Sequence, residues 1–202
     1  TGVRPQSIEK SGAEYHVALT DGTTIETDVV FAAVGRLPNT AEMGLEAVGV
    51  EHSHRGISVN GRMQTSVPSI YAIGDCVDTV QLAPVSDYEA HTAAANIIAG
   101  GRGPEIDYST VPTVVFTYPQ LAQIGVTDAA EDPDISVISG SGAGWPNYRR
   151  LNEPHMRYRV LKRQSTNTII GASILAPHAG ELINAFAMII QSRMTASQVR
   201  GF

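Results

Sequence analysis

The chain has 202 residues, a formal net charge of −6, 43% hydrophobic residues and 17% charged residues. This length allows one or two domains with a sizeable core, and the composition is that of a folded protein. The negative charge argues against nucleic acid or an anionic membrane surface as a partner. No apolar run has the length of a transmembrane helix, and no charged-then-apolar segment resembles a signal peptide.

The start of the chain predicts a small antiparallel meander. Tyr15–Leu19 alternates weakly, Asp21-Gly22 is typical of a hairpin turn, and Thr23–Thr27 is the predicted return strand. Val29–Val34 is then a continuous apolar run, as expected of a parallel strand covered on both faces. Gly35 follows, and a tight exit from the strand would by itself account for a glycine there.

The segment Thr40–Val50 suggests a short helix or turn, and Ile57–Val59 a strand. A second short strand is predicted at Ile70–Ile73, followed by Gly74 and Asp75. Ligands bind beyond the carboxyl ends of strands in open α/β sheets, so Asp75 lies where a ligand would be met. Its carboxylate suits the paired hydroxyls of a ribose or ribityl chain, and Gly74 lets the backbone come close. The alternative is a turn in which Asp75 only caps the next segment.

A helix is predicted from about Pro84 to Ala99, since proline is favourable at the first helical position and Gly100-Gly101 follows the last. The unpaired N–H groups and the positive dipole end of a helix favour an anionic ligand. The alternative is an ordinary helix start with nothing bound.

A boundary rich in glycine, proline and charge falls at Gly101–Ser109, and a second region follows. Its predicted strands are Val114–Thr117, Ile135–Ser139, Met156–Lys162 and Thr168–Leu175. Ala179–Arg193 predicts a helix with one broad apolar face, and Thr195 predicts the cap of another helix. This order indicates an antiparallel sheet covered by helices.

Two motifs, DVVFAAVGRLPN at Asp28–Asn39 and TSVPSIYAIGD at Thr65–Asp75, occur in order. Together they resemble the flavoprotein disulfide reductase family, which includes glutathione reductase, dihydrolipoamide dehydrogenase and mercuric reductase. The resemblance continues through Pro119–Val126, where Gln120 replaces the usual acid, and through PHAGELI at Pro177–Ile183. In that family the first motif leaves the nicotinamide-nucleotide domain and the second returns the chain to the flavin domain.

The resemblance implies an enzyme that uses FAD and NAD(P)H and passes hydride from nicotinamide to flavin and on to an acceptor. It implies that Asp75 and Gly74 meet the flavin and that the backbone at Gly35 approaches the nicotinamide nucleotide. Four further residues, which would lie by the pyrimidine edge of the flavin ring, are Gln81, Leu82, Ala83 and Pro84. Glu89 matches a family glutamate, but Ala90 replaces the glycine that follows it, which would alter how closely the helix packs.

The implied fold is α/β, with remnants of FAD- and NAD(P)-binding domains followed by an α+β antiparallel-sheet dimerisation domain. Residues 1–39 would end the NAD(P)-binding domain, and residues 40–108 would form the carboxyl-terminal part of the FAD-binding domain. Residues 109–202 would form the dimerisation domain, truncated at its end, and make a homodimer. The single cysteine fits a reducing cytoplasm.

The catalytic residues of the family are missing from the sequence. The redox pair needs two cysteines, whereas Cys76 stands alone and suits a small buried hydrophobe. The family's catalytic histidine lies in an H-P-T-like segment, which we expect beyond Phe202. The six histidines show no spacing pattern and predict no metal site. We therefore assign no catalytic and no metal-binding residue.

The dinucleotide fingerprint is missing as well. Gly140–Gly144 has the wrong glycine spacing, and Trp145-Pro146 should prevent the helix that would hold a pyrophosphate. Because the chain also begins at Thr1 rather than Met, we expect a piece of a longer protein that is inactive alone. The alternative is an isolated folded dimerisation module with neither cofactor nor catalytic role.

Overall fold

The computed structural model describes residues 2–129 and 132–201. The chain divides into two units, Thr1–Pro38 and Asn39–Phe202. Helices and antiparallel sheets together confirm the predicted α/β class. Within the described ranges, no helix combines the length and the hydropathy that a membrane crossing requires.

The first unit holds the predicted meander, which is confirmed. Its strands are β1 (Pro5–Ser11), β2 (Glu14–Leu19) and β3 (Thr24–Thr27), paired antiparallel in that order. At the turn before β3, Asp21 Oδ1 accepts hydrogen bonds from the Thr23 hydroxyl at 2.7 Å and the Thr23 N–H at 3.0 Å. These two bonds lower the pKa of the Asp21 carboxyl.

The prediction of a buried strand at Val29–Val34 is wrong. This run has no strand structure, and the side chains of Phe31 and Val34 are 89% and 91% exposed. A parallel strand needs a neighbouring strand for its backbone hydrogen bonds and packed layers on both faces. In the part of the chain that the structure describes, no strand pairs with this run.

The second unit begins with α1 (Leu45–Val48), β4 (His52–Ser53) and β5 (Gly56–Ile57), where β4 and β5 pair antiparallel. The predicted strand at Ile57–Val59 is thus reduced to its first residue. A small core holds these elements together, and its buried members are Leu45, Val50, Ile57, Ala72 and Val77.

The prediction of a strand at Ile70–Ile73 is also wrong. Tyr71 makes only an isolated antiparallel bridge with Gln64, and the chain turns into a short 3-10 helix at Gly74–Cys76. A single parallel bridge then joins Val77 to Ile57. The reason is again the lack of a neighbouring strand among the described residues.

The next helix, α2 (Ala83–Ile98), confirms the prediction to within one residue at each end. Gly100 has φ 60°, and the Gly101 N–H donates to the Asn96 carbonyl oxygen at 2.7 Å. A glycine in this left-handed conformation ends the helix without strain, as predicted.

A five-stranded antiparallel sheet follows, which confirms the predicted antiparallel arrangement and adds one strand, Gln120–Gly125, to the four predicted. Its strands are β6 (Thr113–Val115), β7 (Gln120–Gly125), β8 (Ile135–Gly140), β9 (Arg157–Arg163) and β10 (Ile169–Ala176). Their order is β6-β7-β10-β9-β8, and every pairing is antiparallel.

Between β8 and β9 lies α3 (Pro146–Arg150). Trp145-Pro146 was expected to prevent a helix, and that expectation is wrong. Pro146 stands at the first helical position, where a missing N–H costs no intrahelical hydrogen bond.

The last helices are α4 (Ala179–Gln191) and α5 (Ala196–Arg200). One face of α4 packs on the sheet, around a buried cluster that includes Ala122, Ile124, Ala172, Ile174, Ala176 and Ile183. The predicted Thr195 cap is confirmed, because Thr195 Oγ1 accepts the Gln198 N–H at 3.2 Å and Gln198 Oε1 accepts the Thr195 N–H at 2.8 Å.

Candidate functional site

The turn at Gly74–Cys76 carries the predicted ligand-binding residues. Gly74 has φ 73°, a conformation that favours glycine, and a Cβ built there would lie 3.3 Å from Ser86 Oγ. The turn closes with a hydrogen bond of 3.0 Å from the Val77 N–H to the Gly74 carbonyl oxygen. Asp75 lies at the exposed surface of this turn. The backbone thus presents a carboxylate to solvent where α2 packs closely.

Glu89 lies beneath this turn, on α2, and is fully buried. Its Oε2 accepts the Gly74 N–H at 2.6 Å. Its Oε1 accepts the hydroxyl of Thr79 at 2.6 Å and that of Tyr108 at 2.7 Å. Burial of an ionisable side chain is costly unless its polar atoms are satisfied, and here three donors satisfy both oxygens.

Tyr108 belongs to a short 3-10 turn, Tyr108–Thr110, just before β6. Burial raises the pKa of its hydroxyl, and the hydrogen bond to Glu89 raises the pKa further. The hydroxyl therefore stays protonated at neutral pH and remains a donor to the carboxylate.

The start of α2 lies directly after the turn. Leu82 has an extended backbone, and its carbonyl oxygen accepts the N–H groups of Val85 at 2.9 Å and Ser86 at 3.0 Å. Leu82, Ala83 and Pro84 are all exposed. The helix has 16 residues, so it is long enough to carry a substantial dipole with its positive end here.

Gln81 connects the turn to the helix start. Its Nε2 donates to the Asp75 carbonyl oxygen at 3.3 Å. The structure therefore brings Asp75, Gly74 and Gln81 together, with the first residues of α2 adjacent in the chain. Their role toward a flavin stays a prediction.

Gly35, the other predicted site residue, lies in the first unit. Its φ is 105°, and a Cβ built there would meet no atom within 4 Å. The backbone conformation alone accounts for the glycine, and its approach to a nicotinamide nucleotide also stays a prediction.

Cys76 is partly buried and packs against the core around Ile57, and its Sγ donates to the Ile73 carbonyl oxygen at 3.2 Å. This environment agrees with a packing role. Among the residues that the structure describes, no group of three or more His, Cys, Asp or Glu side chains could hold a metal ion.

Sequence reasoning missed Thr79 and Tyr108, and it matched Glu89 to a family glutamate without predicting its contacts. That match was the available signal for Glu89. Tyr108 offered none, since it lies 19 positions from Glu89 and belongs to no periodic pattern.

The sequence pattern described as "Pyridine nucleotide-disulphide oxidoreductase" matches residues 1–90. The pattern for the dimerisation domain of the same proteins matches residues 111–201. The chain belongs to the pyridine nucleotide-disulphide oxidoreductase family. The resemblance inferred from the two motifs is thereby confirmed.

Curated members of this family are similar along most of the chain. A dihydrolipoyl dehydrogenase of Bacillus subtilis is 37% identical over 180 residues, which are 87% of this chain and 38% of that protein. A glutathione reductase of Burkholderia cepacia is 33% identical over 198 residues, which are 96% of this chain and 44% of that protein. The chain thus spans less than half the length of these relatives.

Two solved structures share the fold. LpdA from Mycobacterium tuberculosis superposes with a TM-score of 0.90 at 29% identity, over 99% of this chain and 44% of that one. The flavoprotein disulfide reductase RclA from Escherichia coli gives a TM-score of 0.85 at 25% identity, over 98% of this chain and 46% of that one.

Proposed function

We propose that this chain is part of a longer FAD-dependent NAD(P)H:disulfide oxidoreductase, to which it contributes a flavin-binding turn and a dimerisation domain. The single observation that carries the proposal is the Gly74–Asp75 turn, fixed by Glu89 and followed at once by the start of α2. When bound, FAD accepts a hydride from NAD(P)H and passes two electrons to a disulfide or another acceptor.

The residues of the turn fit a flavin. Asp75 offers acceptor oxygens at an exposed position, and these suit two hydroxyl groups of a ribityl chain. A side chain at position 74 would have to share space with Ser86, so Gly74 lets the turn lie close to α2. In our proposal the backbone at Gly74 also lies close to the flavin.

The start of α2 fits the other end of the same ligand. Gln81, Leu82, Ala83 and Pro84 form the entry to a 16-residue helix whose dipole is positive at this end. In our proposal this end stabilises negative charge on the pyrimidine edge of the isoalloxazine ring. Gly35 contributes backbone to the site for the nicotinamide nucleotide.

We assign residues 1–39 to the NAD(P)-binding domain, 40–108 to the FAD-binding domain and 109–202 to the dimerisation domain. The match of the dimerisation pattern to residues 111–201 supports a homodimer through the last region. Leu182 and Met188, which are 42% and 65% exposed on α4, are its candidate contacts. We propose the cytoplasm as the compartment, in keeping with a single cysteine.

A second candidate is that the isolated chain is only a dimerisation module without cofactor. The exposed Val29–Val34 run favours it, because a nucleotide-binding strand would need packed layers over these apolar side chains.

Visible absorption spectra of the purified full-length protein and of this chain alone test both candidates. Flavin absorption in the full-length protein supports the proposed function, and its presence or loss in the chain alone decides whether the chain retains the cofactor. A full-length protein that stays colourless after incubation with FAD would refute the proposal.

A further inference from the structure

Glu89 holds both ends of the turn that carries Asp75. We propose that Glu89 is a positioning residue for flavin recognition, because its carboxylate fixes Gly74–Thr79 in the shape that presents Asp75 to the ligand. This inference rests on the proposed function and assigns a role within the same site.

The two oxygens of the carboxylate bind opposite ends of the turn. Oε2 accepts the Gly74 N–H, and Oε1 accepts the Thr79 hydroxyl, each at 2.6 Å. A carboxylate is planar and rigid, so these two bonds fix the distance between the ends of the turn. Since Glu89 is 0% exposed, water does not compete for either oxygen.

A neighbouring strand holds the middle of the turn. The Asp78 N–H donates to the Ile57 carbonyl oxygen at 3.2 Å, and Val77 is fully buried. A Cβ at Gly56 would lie 2.7 Å from the Val77 carbonyl carbon, so only glycine allows β5 to approach this closely. With its middle held by β5, the turn depends on Glu89 for the position of its ends.

Tyr108 connects the same carboxylate to the segment that enters β6. Its hydroxyl donates to Oε1 at 2.7 Å, alongside the hydroxyl of Thr79. The position of the turn is therefore coupled to that segment through one buried group. Without the Tyr108 hydroxyl, Oε1 keeps only the hydroxyl of Thr79 as a donor, and the position of the carboxylate is less well fixed.

Three donors converge on the carboxylate, which only accepts hydrogen bonds when ionised. Glutamine at position 89 keeps the shape of the side chain, but its NH2 group can bond the Thr79 and Tyr108 hydroxyls only if these change from donors to acceptors. Glu89→Gln therefore replaces charge-assisted hydrogen bonds by weaker neutral ones without creating a cavity. Thr79→Val removes one donor with little change of shape, and Thr79→Ser retains the hydroxyl as its matched control.

Hydrogen–deuterium exchange of the full-length protein tests the positioning role directly. We expect Glu89→Gln and Thr79→Val to speed exchange at the Gly74–Thr79 amides by at least about tenfold, as for loss of a hydrogen bond to a charged group. Thr79→Ser should exchange like the wild type. Tyr118→Phe, a hydroxyl deletion at a side chain that is 86% exposed, is the control for Tyr108→Phe.

Titration with FAD, followed by flavin fluorescence, tests the functional consequence. We expect the dissociation constant to rise about tenfold in Glu89→Gln and to rise in Thr79→Val and Tyr108→Phe, but not in Thr79→Ser. If Glu89→Gln fails to fold, the Thr79 pair and Tyr108→Phe decide the question.

Unchanged exchange in folded Thr79→Val and Tyr108→Phe would overturn the positioning role. Faster exchange with unchanged FAD affinity would overturn its link to flavin recognition. A wild-type protein that binds no FAD would refute the proposed function and the flavin role together, whereas the exchange data would still decide whether Glu89 fixes the turn.

Discussion

The carboxylate of Glu89 and the backbone N–H of Gly74 are joined by a hydrogen bond of 2.6 Å across 15 positions of the chain. Ser86, one turn earlier on the same helix, also lies next to Gly74, since a Cβ built there would be 3.3 Å from Ser86 Oγ. One helix therefore fixes the turn, packs against it and begins beside it. Any displacement of α2 therefore moves the Gly74–Asp75 turn and the start of the helix together.

The first prediction concerns Asp75. If its carboxylate accepts hydroxyl hydrogen bonds from the flavin, Asp75→Ala removes a charged acceptor whose hydrogen bond contributes about 1.5–3 kcal/mol. We expect the affinity of the full-length protein for FAD to fall by roughly tenfold or more, measured by fluorescence titration. Asp87→Ala, which removes an exposed acid from α2, is the control and should bind normally. Equal affinities of the two variants for FAD would show that Asp75 is only a turn residue.

The second prediction concerns Gln120, whose side chain caps α4. Its Oε1 accepts the Gly180 N–H at 3.1 Å, whereas the residue at the cap position, His178, makes no capping side-chain bond. Gln120→Ala should lower the free energy of unfolding by about 0.5–2 kcal/mol, as for loss of a helix cap. Gln120→Glu keeps the acceptor and adds a negative charge at the positive end of the helix. This variant should therefore be at least as stable as the wild type.

Urea denaturation measures both Gln120 variants. Gln191→Ala, at an exposed position at the other end of α4, is the matched control and should change stability little. A Gln120→Ala variant as stable as this control would contradict the capping role.

The third prediction concerns Gly171. It pairs with Gly125 across β10 and β7, and a Cβ at Gly171 would overlap the carbonyl oxygen of Val126. Because the obstacle is backbone in the middle of a sheet, Gly171→Ala should destabilise the protein by about 1–3 kcal/mol or more. At Gly144 a Cβ would meet no atom within 4 Å, so Gly144→Ala should be neutral or slightly stabilising. Thermal denaturation that ranks the two variants equally would contradict the packing argument.

The antiparallel region was predictable because its signals are local. Each strand of the β8, β9 and β10 meander pairs with the one next to it in the chain, and the link between β9 and β10 is the short polar segment 164–168. The capping box at Thr195 and Gln198 is likewise contained within four consecutive residues. Such elements form from their own sequence and an immediate neighbour.

The parallel-type strands were not predictable in the same way. Val29–Val34 and Ile70–Ile73 have the composition of buried strands, but that composition requires neighbours on both edges and both faces. No described strand supplies those neighbours, so neither segment forms a strand. The contact between Glu89 and Tyr108 was hidden for a related reason, since it depends on how distant segments pack.

The fourth prediction is that this chain alone has no disulfide reductase activity with NADH or NADPH. Thiol–disulfide exchange needs an attacking thiolate and a resolving thiol, and the sequence contains one cysteine. The Sγ of Cys76 donates to the Ile73 carbonyl oxygen at 3.2 Å, and Cys76 has no second cysteine in the sequence to act as its resolving partner. The assay follows NAD(P)H oxidation with a disulfide substrate and FAD, and Cys76→Ser is the control. Turnover by the wild type above the free-flavin blank would contradict this prediction.

The last prediction is a homodimer formed by residues 109–202. Phe186 and Ile190 of α4 pack against the core, so the predicted apolar face is partly internal. Leu182 and Met188 remain 42% and 65% exposed, and because six positions separate them they lie about 120° apart around the helix. Two copies can bury these side chains against each other, and a two-fold pairing is the commonest arrangement of homo-oligomers.

Light scattering at micromolar concentration measures the dimer. We expect a mass that rises with concentration above the 21.5 kDa of one chain, and Met188→Glu should shift it toward the monomer because the charge would be buried at the interface. Ile98→Glu, at a side chain that is 88% exposed on α2, is the matched control and should leave the mass unchanged. A wild-type mass that stays at 21.5 kDa on concentration would show that the exposed part of α4 has no partner in a second copy.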